Sequence, residues 1–89
     1  MAVMPEISRF FGIVIRMHLS DHVPPHFHAH YGWTWAKVRL DPVGVLKSNL
    51  PPRALRLVVE WANLHERELL ECWRLIRLNE APLQIAPLE

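Results

Sequence analysis

From Gly12 to Leu19 the apolar residues Ile13, Ile15, Met17 and Leu19 alternate with Val14, Arg16 and His18. A period of two sends alternate side chains to opposite faces, so this segment reads as a strand with one buried side. Asp21 to Pro25 is turn chemistry, because the residue before a proline is pushed out of the helical region and two prolines in series favour extended chain. A second strand is expected from about His26 to Tyr31. After a reversal at Gly32, Thr34, Ala36, Val38 and Leu40 share one face of a third strand while Trp35, Lys37 and Arg39 share the other. Asp41-Pro42-Val43-Gly44 reads as a tight turn, and Val45 to Lys47 as a short fourth strand.

Beyond Asn49-Leu50-Pro51-Pro52 the period changes. Prolines suit a first helical turn, and apolar residues then recur at Leu55, Val58, Val59, Ala62, Leu69, Leu70, Trp73 and Ile76. The spacing predicts helix to about Leu78, as one long helix or as two meeting near His65, with continuity preferred. Arg56 with Glu60 and Arg67 with Glu71 are four-residue pairs that would support an exposed helix face by about 0.2–0.5 kcal/mol each. The expected fold class is α+β: a small antiparallel meander of three to four strands, with a carboxy-terminal helix or two consecutive helices packed on one face. The odd side of strand one and the even side of strand three are the expected core.

With 89 residues and 51% apolar composition the chain builds one core, so residues 1–89 are read as a single domain. Ten Lys plus Arg against nine Asp plus Glu leave a net charge of +1, which argues against nucleic-acid binding through bulk charge. Any polyanion site must be local. Cys72 has no second cysteine to pair with and falls in a helical pattern, so it is expected to be a core thiol in a reducing compartment. The apolar stretch Phe10 to Ile15 is too short to cross a bilayer, and neither signal peptide nor membrane anchor is apparent; a cytoplasmic location is the expectation.

Four of the six histidines lie in His22-Val23-Pro24-Pro25-His26-Phe27-His28-Ala29-His30. On extended chain His26, His28 and His30 project to one side and Phe27, Ala29 and Tyr31 to the other, so the aromatic face can enter the core while the imidazoles converge outside. Two chemistries follow. A His-x-His pair can give two nitrogens to a divalent metal, with His22 or Asp21 as a third ligand and water completing an open tetrahedron. Without metal, His26 and His28 can serve as general acid and base, oriented by His22 or Asp21, as in RNA cleavage. The spacing matches no closed structural metal site, so the expectation is metal-independent chemistry without a cofactor. Arg53 and Arg56, in the first turns of the helix, would hold phosphate together with Lys47. His30 is expected to face solvent, and His18 and His65 stand alone on their elements. Trp61 and Trp73 fall on core spacing, whereas Trp33 and Trp35, beside a turn, are candidates for a partner surface or for stacking on RNA bases.

Ile7-Ser8-Arg9-Phe10-Phe11-Gly12-Ile13-Val14-Ile15, Asp21-His22-x-Pro24-Pro25-His26-Phe27-His28-Ala29 and Asn49-Leu50-Pro51-Pro52-Arg53 together resemble a bacterial family, domain of unknown function forty-one sixty. Trp61-Ala62-x-Leu64-His65 and Glu68-Leu69-Leu70-x-x-Trp73 extend the resemblance over about Met4 to Leu88. It implies a small cytoplasmic protein, often encoded beside another short protein and suggested to be the toxin half of a toxin-antitoxin pair. It also implicates Asp21, His22, Pro24, Pro25, His26, His28 and Arg53. The chain departs at His30, where an acidic residue is common in the family, and at Trp33-Thr34-Trp35, where smaller turns are usual. The leading expectation is therefore a toxin-like protein acting on RNA through His26 and His28. The competing ones are a noncatalytic module docking on a small partner protein, an antitoxin in the paired reading, and a histidine-based divalent metal site.

Overall fold

In a computed structural model, residues 4–18 and 22–89 are described. Five strands, β1 (Glu6–Phe10), β2 (Ile13–Arg16), β3 (His26–Tyr31), β4 (Thr34–Arg39) and β5 (Gly44–Ser48), precede two helices, α1 (Pro52–Leu64) and α2 (Glu66–Arg77). The strands form one antiparallel sheet in the order β1-β2-β3-β4-β5, so each pairs with its neighbour in sequence. The class is α+β as expected, but the sheet has five strands rather than three to four. The additional one, β1, is held by pairing with β2: Ser8 and Phe10 stand opposite Ile15 and Ile13 in register, and Ile7 is drawn into the core beside a bulge between Glu6 and Ser8.

Two-residue turns set the register. Phe11 (φ 50°) and Gly12 (φ 80°) both take left-handed backbone between Phe10 and Ile13, the pair of positive angles a type I′ hairpin requires. Gly32 (φ 58°) opens the turn between Tyr31 and Thr34, where the Thr34 hydroxyl donates to the Tyr31 carbonyl at 2.5 Å.

The helical stretch breaks. His65, with φ −119° and ψ 25°, ends α1 and begins α2, so two consecutive helices replace the preferred continuous one. Its Nδ1 lies 2.6 Å from Glu68 Oε1 and its ring centroid 5.6 Å from that of Trp61, which anchors the corner. On α2, Glu71 pairs with Arg74 at 2.5 Å rather than with Arg67.

Both helices cover one face of the sheet. The core joins Ile13, Ile15, Met17, Phe27, Ala29, Ala36, Val38 and Leu40 from the strands to Ala54, Val58, Trp61, Ala62, Leu69, Cys72, Trp73 and Ile76 from the helices. Odd positions of β2 and even positions of β4 face inward, as the alternation predicts. Trp61 is fully buried against Phe10 (5.3 Å) and Phe27 (5.7 Å) and donates Nε1–H to Ala86 O at 2.9 Å. The segment after α2 returns along β1, where Ile85 N–H donates to Ile7 O at 2.8 Å and Gln84 Nε2 to Glu6 O at 2.9 Å. Among the described residues no helix is long and apolar enough to cross a membrane.

Candidate functional site

With the helices on one side, the other side of the sheet carries the alternate residues. Register places Arg16 opposite His28, His28 opposite Lys37, and Lys37 opposite Lys47, a row running across β2, β3, β4 and β5. The adjoining rows are Val14, His30 and Trp35 on one side and His26 with Arg39 on the other. Directly opposed residues hold their Cβ atoms about 4.5–5.5 Å apart, so this is a contiguous polar surface. Glu6 is the sole acidic residue within the five strands. Arg9 holds it at 2.7 and 3.1 Å, and these hydrogen bonds keep its carboxyl below the ordinary range. Arg16, 3.9 Å from the same carboxylate, also donates to Met4 O at 2.9 Å.

The imidazoles gather at the centre of this surface, in a grouping different from the one expected. The rings of His18 and His28 stack with centroids 3.9 Å apart and planes 18° apart, and His30 lies 6.4 Å beyond His28. One ligand nitrogen from each of His18, His28 and His30 lies within 4.8 Å of the others. All three are half-buried. Partial burial, then the Arg16 guanidinium and the His18 ring, push His30 below the ordinary imidazole value, so the neutral ring is favoured. His30 therefore belongs to the cluster rather than to the solvent side, and His18 does not stand alone.

His26 is placed otherwise. It is 2% exposed, its ring is 5.5 Å from Trp73 and 5.3 Å from His28, and its Nδ1–H donates to Pro24 O at 2.7 Å. That bond ties the start of β3 to the double-proline turn, whose Val23–Pro24 peptide is cis. His22 is exposed on the same turn. Asp21 lies outside the described residues.

The expected phosphate holders divide between the two sides of the sheet. Arg53 lines a cleft of roughly 440 Å³ with Phe11, Ile13, Tyr31, Ala54 and Leu57, on the side that carries the helices, and Arg56 lines a neighbouring groove with Val45 and Val59. Neither joins the imidazoles. Lys47 does share their face, its Nζ 5.7 Å from the Trp35 ring. The cations that replace Arg53 beside His28 are Arg16 and Lys37, which sequence reasoning did not single out. Both alternate with core residues on strands flanking the histidine strand, and that alternation is the signal that points to them. Trp35 is half-buried, its backbone N–H donating to Asn49 Oδ1 at 2.7 Å, and Trp33 is fully exposed at the turn.

No curated protein and no solved structure matches this chain. A family model does: residues 12–74, which hold the histidine strand, the basic rows and most of both helices, match the model described as domain of unknown function (DUF4160), and the chain belongs to that family.

Proposed function

We propose that the protein acts on RNA, held by its phosphates against the open face of the sheet, and that it is toxin-like in restraining growth. The observation that carries this reading is the cross-strand row Arg16, His28, Lys37 and Lys47. Like charges placed directly opposite each other destabilise a sheet, so Lys37 against Lys47 is a local cost that a bound polyanion relieves. A net charge of only +1 makes the concentration of cations on one face the more telling. Trp35, beneath the Lys47 ammonium, and Trp33 at the turn tip offer π-faces for unpaired bases. His28, common to the expected pair and to the observed cluster, lies at the middle of the row, with His30, His18 or His26 as the second imidazole for acid and base work on a phosphodiester.

Induced expression should arrest growth with loss of cellular RNA, and the purified protein should retain and cut a single-stranded RNA. A His28→Ala, His30→Ala variant that still cuts, or a Lys37→Gln, Lys47→Gln variant that binds RNA as tightly as wild type, would discard the reading.

A second reading is favoured by Phe11, Tyr31 and Trp33, large apolar side chains left exposed at the two turns on one end of the sheet. Such an end suits a small partner protein encoded nearby, in the manner of an antitoxin. Retention of that neighbour by wild type and its loss in Trp33→Ala would support docking there; equal retention by both would count against it.

A further inference from the structure

We propose that His18, His28 and His30 form a three-imidazole site for a divalent transition metal such as Zn²⁺, Co²⁺ or Ni²⁺, open on its outer side to an anionic oxygen ligand. The donor set is three neutral-capable nitrogens, two on β3 and one two residues past the end of β2, and among the described residues it is the group of three or more ligating side chains that converges. Imidazole suits these metals, and three protein ligands with a fourth position left to water or substrate is the pattern of reactive rather than structural sites.

Geometry sets the adjustment required. With Zn–N bonds of about 2.0–2.1 Å, a tetrahedral ion holds its nitrogens about 3.3 Å apart. The nitrogens here lie within 4.8 Å of one another, so closure needs roughly 1.5 Å, and because an imidazole binds in its own ring plane the stacked His18 and His28 rings must also turn out of parallel, both by rotation about the side-chain torsions. Two of the three imidazoles are on β3, two residues apart and on one face, and register fixes that face against β2. The sheet therefore fixes the backbone of His28 and His30, and the stack on His28 holds the His18 ring beside them. His30 Nε2 is buried without a hydrogen-bond partner, so ligation at that nitrogen displaces no protein hydrogen bond.

The surroundings specify the remaining ligand. Arg16 and Lys37 flank His28 in register, and a dication beside two fixed cations is electrostatically unfavourable until an anion joins it. A phosphate oxygen meets that requirement and would bridge the metal to the guanidinium and ammonium. This last step rests on the RNA reading above; the metal site does not.

The test uses untagged protein stripped with EDTA and dialysed. Titration with Co²⁺ should produce the visible bands of a tetrahedral ion at one equivalent, and calorimetry with Zn²⁺ should give the same stoichiometry. His28→Ala and His30→Gln, each checked for folding by circular dichroism, should lower affinity by at least about tenfold, since even outer-shell changes at metal sites cost that much. His65→Ala, on the far corner between the helices, should bind as wild type does. A folded wild type that gives neither bands nor heat, or variants that all bind alike, would overturn the site. Adding inorganic phosphate should shift the Co²⁺ bands in wild type but not in Arg16→Gln; no shift in wild type would overturn the anionic ligand. RNA binding measured in EDTA separates the two ideas: its loss in a protein that still titrates with Co²⁺ would end a metal-independent RNA face and leave the metal centre standing.

Discussion

If the open sheet face holds RNA through its phosphates, affinity must fall with salt at a slope set by the number of cations engaged. Arg16, Lys37, Arg39 and Lys47 occupy that face, whereas Arg9 is held by Glu6. Each phosphate neutralised on a single strand contributes about −0.7 to the slope of log affinity against log salt, so four contacts give about −2.8 and a loss of roughly 50-fold between 50 and 200 mM salt. Lys37→Gln should reduce the slope to about −2.1, and a Lys37→Gln, Lys47→Gln variant to about −1.4. Fluorescence anisotropy with a labelled oligonucleotide, read at several salt concentrations, measures both slope and affinity. Arg67→Gln, exposed on α2, is the control that should leave the slope alone. Folding should not confound the result, because removing one of two opposed lysines relieves repulsion and leaves stability unchanged or slightly higher. A wild-type slope near zero would refute the argument. So would a slope that Arg67→Gln lowers as much as Lys37→Gln does.

Three further outcomes follow from the packing. Trp61→Ala should destabilise the fold by about 3–5 kcal/mol in urea unfolding, because it empties the fully buried site between Phe10 and Phe27 and frees the chain at Ala86; a loss below about 1 kcal/mol would show that the core closes over the gap. Gly12→Ala should cost about 1 kcal/mol or more, since φ of 80° disfavours a side chain and the added Cβ would sit 3.3 Å from Tyr31 Cε1; a neutral result would mean the turn re-forms in another type. Burial pushes the Cys72 thiol above its ordinary 9.0, opposed by a backbone hydrogen-bonding effect at Leu83 and reinforced by Glu68 and Glu71. The unfolded thiol then ionises first, so this contribution is complete below pH 9 and falls away as pH rises above it, and a thiol reagent should react far faster in denaturant than in buffer; equal rates would contradict the burial.

Much of the fold was legible because period-two alternation and helical spacing are strong over β2, β3, β4 and α1. β1 was harder to see. In Glu6-Ile7-Ser8-Arg9-Phe10 a bulge puts Ile7 and Ser8 both inside, which breaks the alternation that identifies a strand. The helix break at His65 was equally hidden, because Leu64-His65-Glu66 contains neither glycine nor proline. Local contacts of His65 with Trp61 and Glu68 brace the corner, and one tertiary bond joins it to the sheet: Glu66 Oε2 accepts from Asp41 N–H at 3.3 Å across the end of β4. The Arg67–Glu71 pair gave way to Arg74, one residue nearer along the helix and with a bidentate geometry.

The histidine cluster shows where local reading stops. Along β3 alone, His26, His28 and His30 are equivalent by alternation, and nothing separates them. The separation comes from the neighbours. His26 is at the end of the strand, where Trp73 of α2 and the Pro24 carbonyl enclose it, so its Nδ1 serves the turn. His28 and His30 lie further in, opposite Arg16 and Val14, where the chain leaving β2 brings His18 alongside. That pairing was implicit in two separate observations: His18 falls in the polar half of the strand expected from Gly12 to Leu19, and an antiparallel partner with the opposite half buried must present its polar set on the same side. Joining them requires a register, and the register runs through a connection with two prolines in series, whose geometry no alternation specifies. A single-residue slip between β2 and β3 would turn every imidazole of β3 into the core and expose Phe27 and Ala29, so the buried aromatic, more than the histidines themselves, selects the arrangement in which the three rings meet.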